Sequence, residues 1–105
     1  MVRETDLKVV EKFKEKLTKR FQNSKVILFG SRATGNSTEQ SDFDLIVVSE
    51  AFEDKDIIKR GSLMYDDWDY NFAVDFICYT PEEFKEKESR VSIVSEALKT
   101  GVVIK

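Results

Sequence analysis

Three aspartates at the ends of apolar runs are the residues of this sequence best suited to chemistry. Asp42 and Asp44 are separated by one residue before the run Leu45–Val48, and Asp75 lies inside a second apolar run. Successive side chains of a strand point to opposite faces, so Asp42 and Asp44 are expected on the same face. Two carboxylates on one face repel each other, and a divalent cation would compensate them. The spacing therefore predicts a metal site; the alternative is one aspartate that caps the loop and another that is exposed at a strand edge.

Asp75 is predicted to be a third carboxylate of the same site. It interrupts the apolar segment Phe72–Tyr79, and a charge within such a run is rarely buried unless it is paired or bound to a metal. The alternatives are a solvent-facing aspartate on an edge strand, or an ion pair with one of the many lysines.

Gly30 and Ser31 are candidates for binding phosphate. They follow the apolar run Lys25–Phe29, and a glycine there lets the backbone bend and approach a ligand closely. Consecutive amides in such a turn can bind an anion, although a Gly-Ser pair after a strand is often only a turn. Combined with three carboxylates, such a turn is what two-metal phosphoryl or nucleotidyl transfer needs: two ions about 4 Å apart activate the attacking hydroxyl and neutralise the leaving pyrophosphate. Asp75 is a candidate to accept the proton.

The apolar pattern predicts which elements position these residues. Helices are expected over 6–21, in the middle of 50–68, from a capping-box start at Thr80–Glu83, and over 91–99; strands are expected over 25–29, 43–48, 72–79 and 102–104. Strands separated by helices indicate an α/β fold. The loop 30–40 is short for a crossover helix, so we expect a small mixed β-sheet flanked by helices. A length of 105 residues fits one domain, 1–105.

The segment 50–72 and Cys78 are each expected to contribute to the core. Four residues of the segment 50–68 are expected to face the core, and Gly61-Ser62 weakens the prediction of an unbroken helix there. These four are Ile57, Ile58, Met64 and Trp68. The aromatic residues between 64 and 72 are suited to an interface, but core packing is the preferred interpretation. Cys78 is expected to be a small buried hydrophobic residue.

Composition narrows the chemistry and the partners. The sequence has no histidine, which excludes zinc sites built on imidazole and any Ser-His-Asp mechanism. A metal must therefore bind to carboxylates, which favours magnesium or manganese. The net charge of -3 makes a nucleic acid an unexpected partner. No apolar run is long enough for a membrane span, no signal-peptide pattern begins the sequence, and Cys78 is the only cysteine, so we expect a cytoplasmic protein.

The motifs together resemble a known family. Leu28–Gly35 and Ser41–Leu45 carry a Gly-Ser pair, then ten residues, then Asp-x-Asp. This pattern is typical of the minimal nucleotidyltransferases, in the DNA polymerase β-like superfamily. Val74–Phe84 is similar to that family's strand with the third carboxylate and the helix after it.

The resemblance implies a polymerase β palm-like fold, ATP or another NTP as substrate, magnesium (two ions) as cofactor, and transfer of a nucleoside monophosphate. By position, the metal ligands would be Asp42, Asp44 and Asp75, and the nucleotide-binding residues would be Gly30, Ser31 and Arg32. Gly30 and Ser31 would hold the β- and γ-phosphates, and a guanidinium suits the same oxygens. Thr34 stands where the family often has a second arginine, so that contact is in doubt.

Small members of this family often act as antitoxins that modify a helical partner carrying a HEPN domain. The resemblance therefore implies transfer of AMP to a hydroxyl on such a partner. The chain has no room for a separate acceptor-binding domain, so a partner or a second copy is expected to supply it. One alternative is a partner-masking module of the same fold with little or no catalysis. Another is a small-molecule nucleotidyltransferase, although such enzymes usually carry an extra helical domain.

Overall fold

The computed structural model describes residues 1–69 and 71–105, in which the apolar segments form helices and strands close to the expected ones. The helices are α1 (Glu4–Arg20), α2 (Ser31–Thr34), α3 (Ile57–Tyr65), α4 (Pro81–Glu88) and α5 (Ile93–Thr100). The strands are β1 (Lys25–Phe29), β2 (Phe43–Val48), β3 (Val74–Tyr79) and β4 (Val102–Ile104), and a 3-10 turn covers Glu50–Phe52. No described helix has the length and apolarity needed to span a bilayer.

The four strands form one mixed sheet in the order β3-β2-β1-β4. β1 is antiparallel to β2 and to β4, whereas β2 and β3 are parallel. The connection from β1 to β2 contains only the short helix α2, so the chain turns back beside itself. The longer connection from β2 to β3 contains α3, which gives the crossover that parallel strands require. The predicted mixed α/β sheet is confirmed, with β4 at an edge.

Helices cover both faces of the sheet. Side chains of β2 alternate between them, as strand geometry requires. One face packs on α1, through Val10, Phe13 and Leu17 of the helix and Phe43, Leu45 and Val47 of the strand. The other packs on α4 and α5, through Ile46 and Val48 of the strand and Phe84, Val94 and Ala97 of the helices. Asp44 alternates with Leu45 and therefore belongs to the α4-α5 face.

Side-chain caps fix where α4 and α5 begin. The Thr80 hydroxyl accepts from the Glu83 amide at 3.2 Å, and the Glu83 carboxylate accepts from the Thr80 amide at 2.8 Å. This reciprocal pair is the predicted capping box. α5 starts at Ile93 rather than at residue 91, because Ser92 forms a second reciprocal pair with Ser95.

The predicted core face of the segment 50–68 is half wrong. Met64 is fully buried and Trp68 nearly so, but Ile57 and Ile58 are 80% and 86% exposed. Asp56 caps α3, so both isoleucines lie in its first turn, where they face an open groove between α3 and α4. Helical periodicity does not show that a helix end extends past the surface it covers.

The structure also settles the expectations for Gly61, Trp68 and Cys78. α3 runs through Gly61 without a break. Trp68 packs edge-on against Phe13 and Phe43, which confirms core packing for this aromatic residue, while Tyr70 lies outside the described residues. Cys78 is buried, as expected, and burial raises the pKa of its thiol to about 12.

Candidate active site

Strand pairing brings the Gly-Ser turn and two of the three aspartates together at one end of the sheet. Asp44 is opposite Asp75 in the parallel pair and opposite Phe29 in the antiparallel pair. Gly30 follows Phe29 directly, and a Cβ atom at Gly30 would collide with the Asp44 carboxylate. A glycine is therefore required at this position by the carboxylate as well as by its φ of 74°.

The turn after Gly30 is closed by its own backbone. The Ala33 amide donates to the Gly30 carbonyl at 3.0 Å, and the Gly35 amide donates to the Ser31 carbonyl at 3.1 Å. The Thr34 hydroxyl donates to the same Ser31 carbonyl at 3.2 Å, so Thr34 supports the turn. Ser31 is half-buried at the first position of α2, and among the described residues its hydroxyl has no hydrogen-bond partner.

The three aspartates form an electrostatic cluster. Asp44 is half-buried, whereas Asp42 and Asp75 are exposed. Burial raises the pKa of the Asp44 carboxyl above its ordinary value, and the charges of Asp75 and then Asp42 raise it further. Each of these causes disfavours the ionised carboxylate. The fold therefore gathers negative charge where nothing in the described chain neutralises it.

Arg32 does not have the position expected of a phosphate ligand. It is 4% exposed, and its guanidinium donates to Asp6 at 2.8 Å, to the Ser41 carbonyl at 3.0 and 2.8 Å, and to the Glu39 carbonyl at 3.3 Å. A phosphate could be bound only after some of these bonds were broken and the ion pair was opened. The contact of Arg32 with the nucleotide therefore stays a prediction, and in this structure the guanidinium is held by contacts within the protein.

A comparison with protein families gives the family of the chain. The family model described as "Nucleotidyltransferase domain" matches residues 10–104. The chain belongs to the nucleotidyltransferase domain family. The expectation of a minimal nucleotidyltransferase is thereby confirmed, and an NTP substrate follows from the family. Among proteins of curated function, none matches the sequence significantly.

Three solved structures are similar to this chain in fold. A Sulfolobus solfataricus protein assigned to the nucleotidyltransferases is 23% identical, with a TM-score of 0.65 over 94% of this chain and 78% of that one. A second protein of the same assignment is 25% identical, with a TM-score of 0.51 over 76% of this chain and 87% of that one. The BolA domain of SufE1 from Arabidopsis thaliana is 26% identical, with a TM-score of 0.50 over 79% of this chain and 99% of that one. Because this last domain has a different name and a TM-score close to that of the second protein, similarity of fold alone does not decide function.

Nucleotidyltransferase domains generally use divalent metals, and the aspartates can be tested against that requirement. Within residues 1–69 and 71–105, no group of three His, Cys, Asp or Glu side chains is arranged to hold a metal ion. Charge interactions act over longer distances than metal ligation. The charges of Asp42 and Asp75 can therefore raise the pKa of Asp44 although the three carboxylates are not arranged around one metal position. Magnesium needs only one or two carboxylates besides water and substrate phosphates. The donor chemistry of the aspartates therefore fits a hard divalent cation such as magnesium.

Asp6 is a residue of this region that the motifs did not single out. It is 5% exposed and pairs with Arg32. The sequence contained a signal: Asp6 precedes Val10, Phe13 and Leu17 at spacings of four, three and four, so it occupies a core position of an amphipathic helix. A charge at such a position indicates a buried partner.

Proposed function

We propose that this nucleotidyltransferase-domain protein transfers AMP from ATP to a hydroxyl acceptor, with magnesium bound by Asp42, Asp44 and Asp75. The observation that carries the proposal is the convergence of Gly30 with the Asp44–Asp75 pair at one end of the sheet. A phosphate-binding turn beside clustered carboxylates is what charge neutralisation of a polyphosphate requires. The three carboxylates are proposed ligands.

Each residue has a definite part in the transfer. The Ser31 hydroxyl and the backbone of the Gly30–Ser31 turn would bind the β- and γ-phosphates, and their fixed position would align the α-phosphorus with the acceptor. Asp75, which is exposed, would accept the proton of the attacking hydroxyl. The acceptor oxygen forms a bond to the α-phosphorus as the bond to the β-phosphate oxygen breaks, and pyrophosphate leaves. Bound magnesium would neutralise the phosphates and lower the pKa of the attacking hydroxyl.

The acceptor is proposed to be a hydroxyl group on a small helical protein of the HEPN type. The described elements form a four-stranded sheet and the helices that cover it, without a separate acceptor-binding unit among the described residues. Orientation contributes much of the barrier reduction in such transfers, so contacts outside this chain must provide it. The net charge of -3 disfavours a nucleic acid as the acceptor. The family resemblance makes a HEPN-type toxin the leading partner.

Labelled ATP tests the reaction and the acceptor together. The protein, magnesium and a HEPN-type partner are incubated with ATP labelled at the α-phosphate, and in parallel with ATP labelled at the γ-phosphate. We expect the α-label alone to reach the partner, with a mass gain of about 329 Da per AMP, as a phosphoryl-transfer product requires. Asp42→Asn should abolish the gain, and Asp54→Asn, at an exposed site after the 3-10 turn, should leave it unchanged.

The other outcomes separate the alternatives. Transfer of the γ-label would show a kinase reaction and contradict the proposal. A partner that binds but stays unmodified would favour the masking module. Label on a small molecule, with the partner unlabelled, would favour a small-molecule nucleotidyltransferase.

A further inference from the structure

A buried ion pair joins the beginning of α1 to the helix that carries the Gly-Ser turn. Arg32 Nη1 lies 2.8 Å from Asp6 Oδ1, and the two side chains are only 5% and 8% exposed. Ser37 donates to the other Asp6 oxygen at 3.5 Å. Removing two charges from water costs several kcal/mol per ion, and apolar replacements of such pairs are often as stable. Stability alone is therefore a weak reason for this pair.

The remaining donors of Arg32 reach the segment that leads into the aspartates. Nε and Nη2 both donate to the Ser41 carbonyl, and Nη2 also donates to the Glu39 carbonyl. Ser41 is the residue immediately before Asp42. The guanidinium carbon also lies 4.3 Å from the ring centroid of Phe43, the residue between Asp42 and Asp44.

These contacts connect the two halves of the proposed site. The Arg32 backbone follows Ser31 in α2, whereas its guanidinium holds the backbone before Asp42. We propose that Arg32, oriented by Asp6, is a positioning residue that sets the placement of the Gly30–Ser31 turn relative to the Asp42–Asp44 segment. The inference rests on the proposed function of these residues. A guanidinium is required because its planar fork can serve two carbonyls and a carboxylate in fixed directions, which an ammonium cannot do.

Arg60 offers a matched control within the same chain. It is 8% exposed, pairs with Glu83 at 2.6 Å, and donates to the carbonyls of Lys55 and Cys78 at 2.8 and 3.2 Å. Its environment thus resembles that of Arg32. Cys78 is three residues beyond Asp75 along β3, about 10 Å for an extended strand. Arg60 therefore contacts β3 at the end of the sheet away from the aspartates.

The test measures binding of a non-hydrolysable ATP analogue with manganese by calorimetry, at a temperature where every variant is folded. The variants are Arg32→Lys, Asp6→Asn and Arg60→Lys. Loss of an outer residue that orients metal ligands typically weakens binding by about 10- to 100-fold, and we expect at least tenfold weaker binding for Arg32→Lys and Asp6→Asn. Arg60→Lys should lower the melting temperature and keep the affinity of the unchanged protein.

The outcomes are distinct. If Arg32→Lys melts lower but binds the analogue as tightly as the unchanged protein, Arg32 is only structural and the inference is overturned. If Arg32→Lys fails to fold, Asp6→Asn decides, because it replaces the charge-assisted contact that orients Arg32 by a weaker one with almost no change in volume; unchanged affinity of this variant would overturn the inference. If the unchanged protein does not bind manganese with the analogue, the proposed function fails, and the inference fails with it.

Discussion

Asp44 of β2 and Asp75 of β3 lie opposite each other in the parallel register of the two strands. Both belong to the α4-α5 face of the sheet, and the charge of Asp75 contributes to the raised pKa of the Asp44 carboxyl. Like charges this close on neighbouring strands repel each other and disfavour the ionised form. The chain retains this arrangement beside a glycine that leaves no room for a side chain, which supports a function for the pair in binding a cation and its phosphate ligand.

Magnesium with ATP should raise the melting temperature of the unchanged protein. A ligand at 100 times its dissociation constant stabilises the folded state by about 2.7 kcal/mol. Asp44→Asn should remove most of this shift, because it deletes the carboxylate that interacts with the charges of both other aspartates. Differential scanning calorimetry measures the effect. An equal shift in both proteins would place the nucleotide elsewhere.

Without metal, Asp44→Asn should make the protein more stable at neutral pH. The raised pKa means that the ionised carboxylate is disfavoured in the fold relative to the unfolded chain. The residue is partly exposed, so solvent screening limits the gain to about 0.5 kcal/mol. Urea unfolding in the presence of a chelator measures it, with Glu11→Gln as a control at an exposed position in α1. A loss of stability would show that Asp44 has a favourable partner.

Ser31→Ala should separate phosphate binding from turn formation. Gly30, not Ser31, occupies the cap position of α2, and no described residue bonds to the Ser31 hydroxyl. We therefore expect weaker ATP binding with almost unchanged apo stability. A structural cap would instead lose about 1 kcal/mol of stability and bind ATP normally. Unfolding and ATP titrations on the same variant distinguish the two results.

Acid should weaken the link between α3 and α4. The hydrogen bonds from Arg60 hold the pKa of Glu83 below its ordinary value of 4.5. A carboxyl whose pKa is lower in the folded state stabilises the fold fully above the unfolded pKa and loses this contribution as the pH falls through the folded pKa. The stability difference between the unchanged protein and Glu83→Gln should therefore be largest near neutrality and shrink below pH 4.5. A difference that stays constant with pH would contradict the ion pair.

The sequence predicts the architecture well because its strongest signals are local. Lys25–Phe29 and Phe43–Val48 begin and end as expected, since turn residues flank each short apolar run. The start of α4 follows from the Thr80–Glu83 capping box. The pairing of the strands does not follow from such signals, and the length of the connections predicted only that the sheet is mixed.

The errors concern contacts that are distant in sequence. Ile57 and Ile58 have core chemistry but lie at a helix end, where the sheet no longer covers them. The buried pair of Arg32 with Asp6, 26 residues earlier in the chain, does not follow from any local pattern, because only the assembled fold brings the two side chains together. Local patterns give residue types and faces, whereas which groups meet depends on how the elements are assembled.

Crystals grown with manganese and a non-hydrolysable ATP analogue test the central claim most directly, because anomalous scattering locates the metal. We expect a manganese peak at the Asp44–Asp75 end of the sheet, bonded to carboxylate oxygens at about 2.0–2.3 Å, with the analogue's phosphates on the Gly30–Ser31 turn. A metal-nucleotide complex bound elsewhere, for example in the groove between α3 and α4, would contradict the account, as would crystals with the analogue bound but no metal at these aspartates.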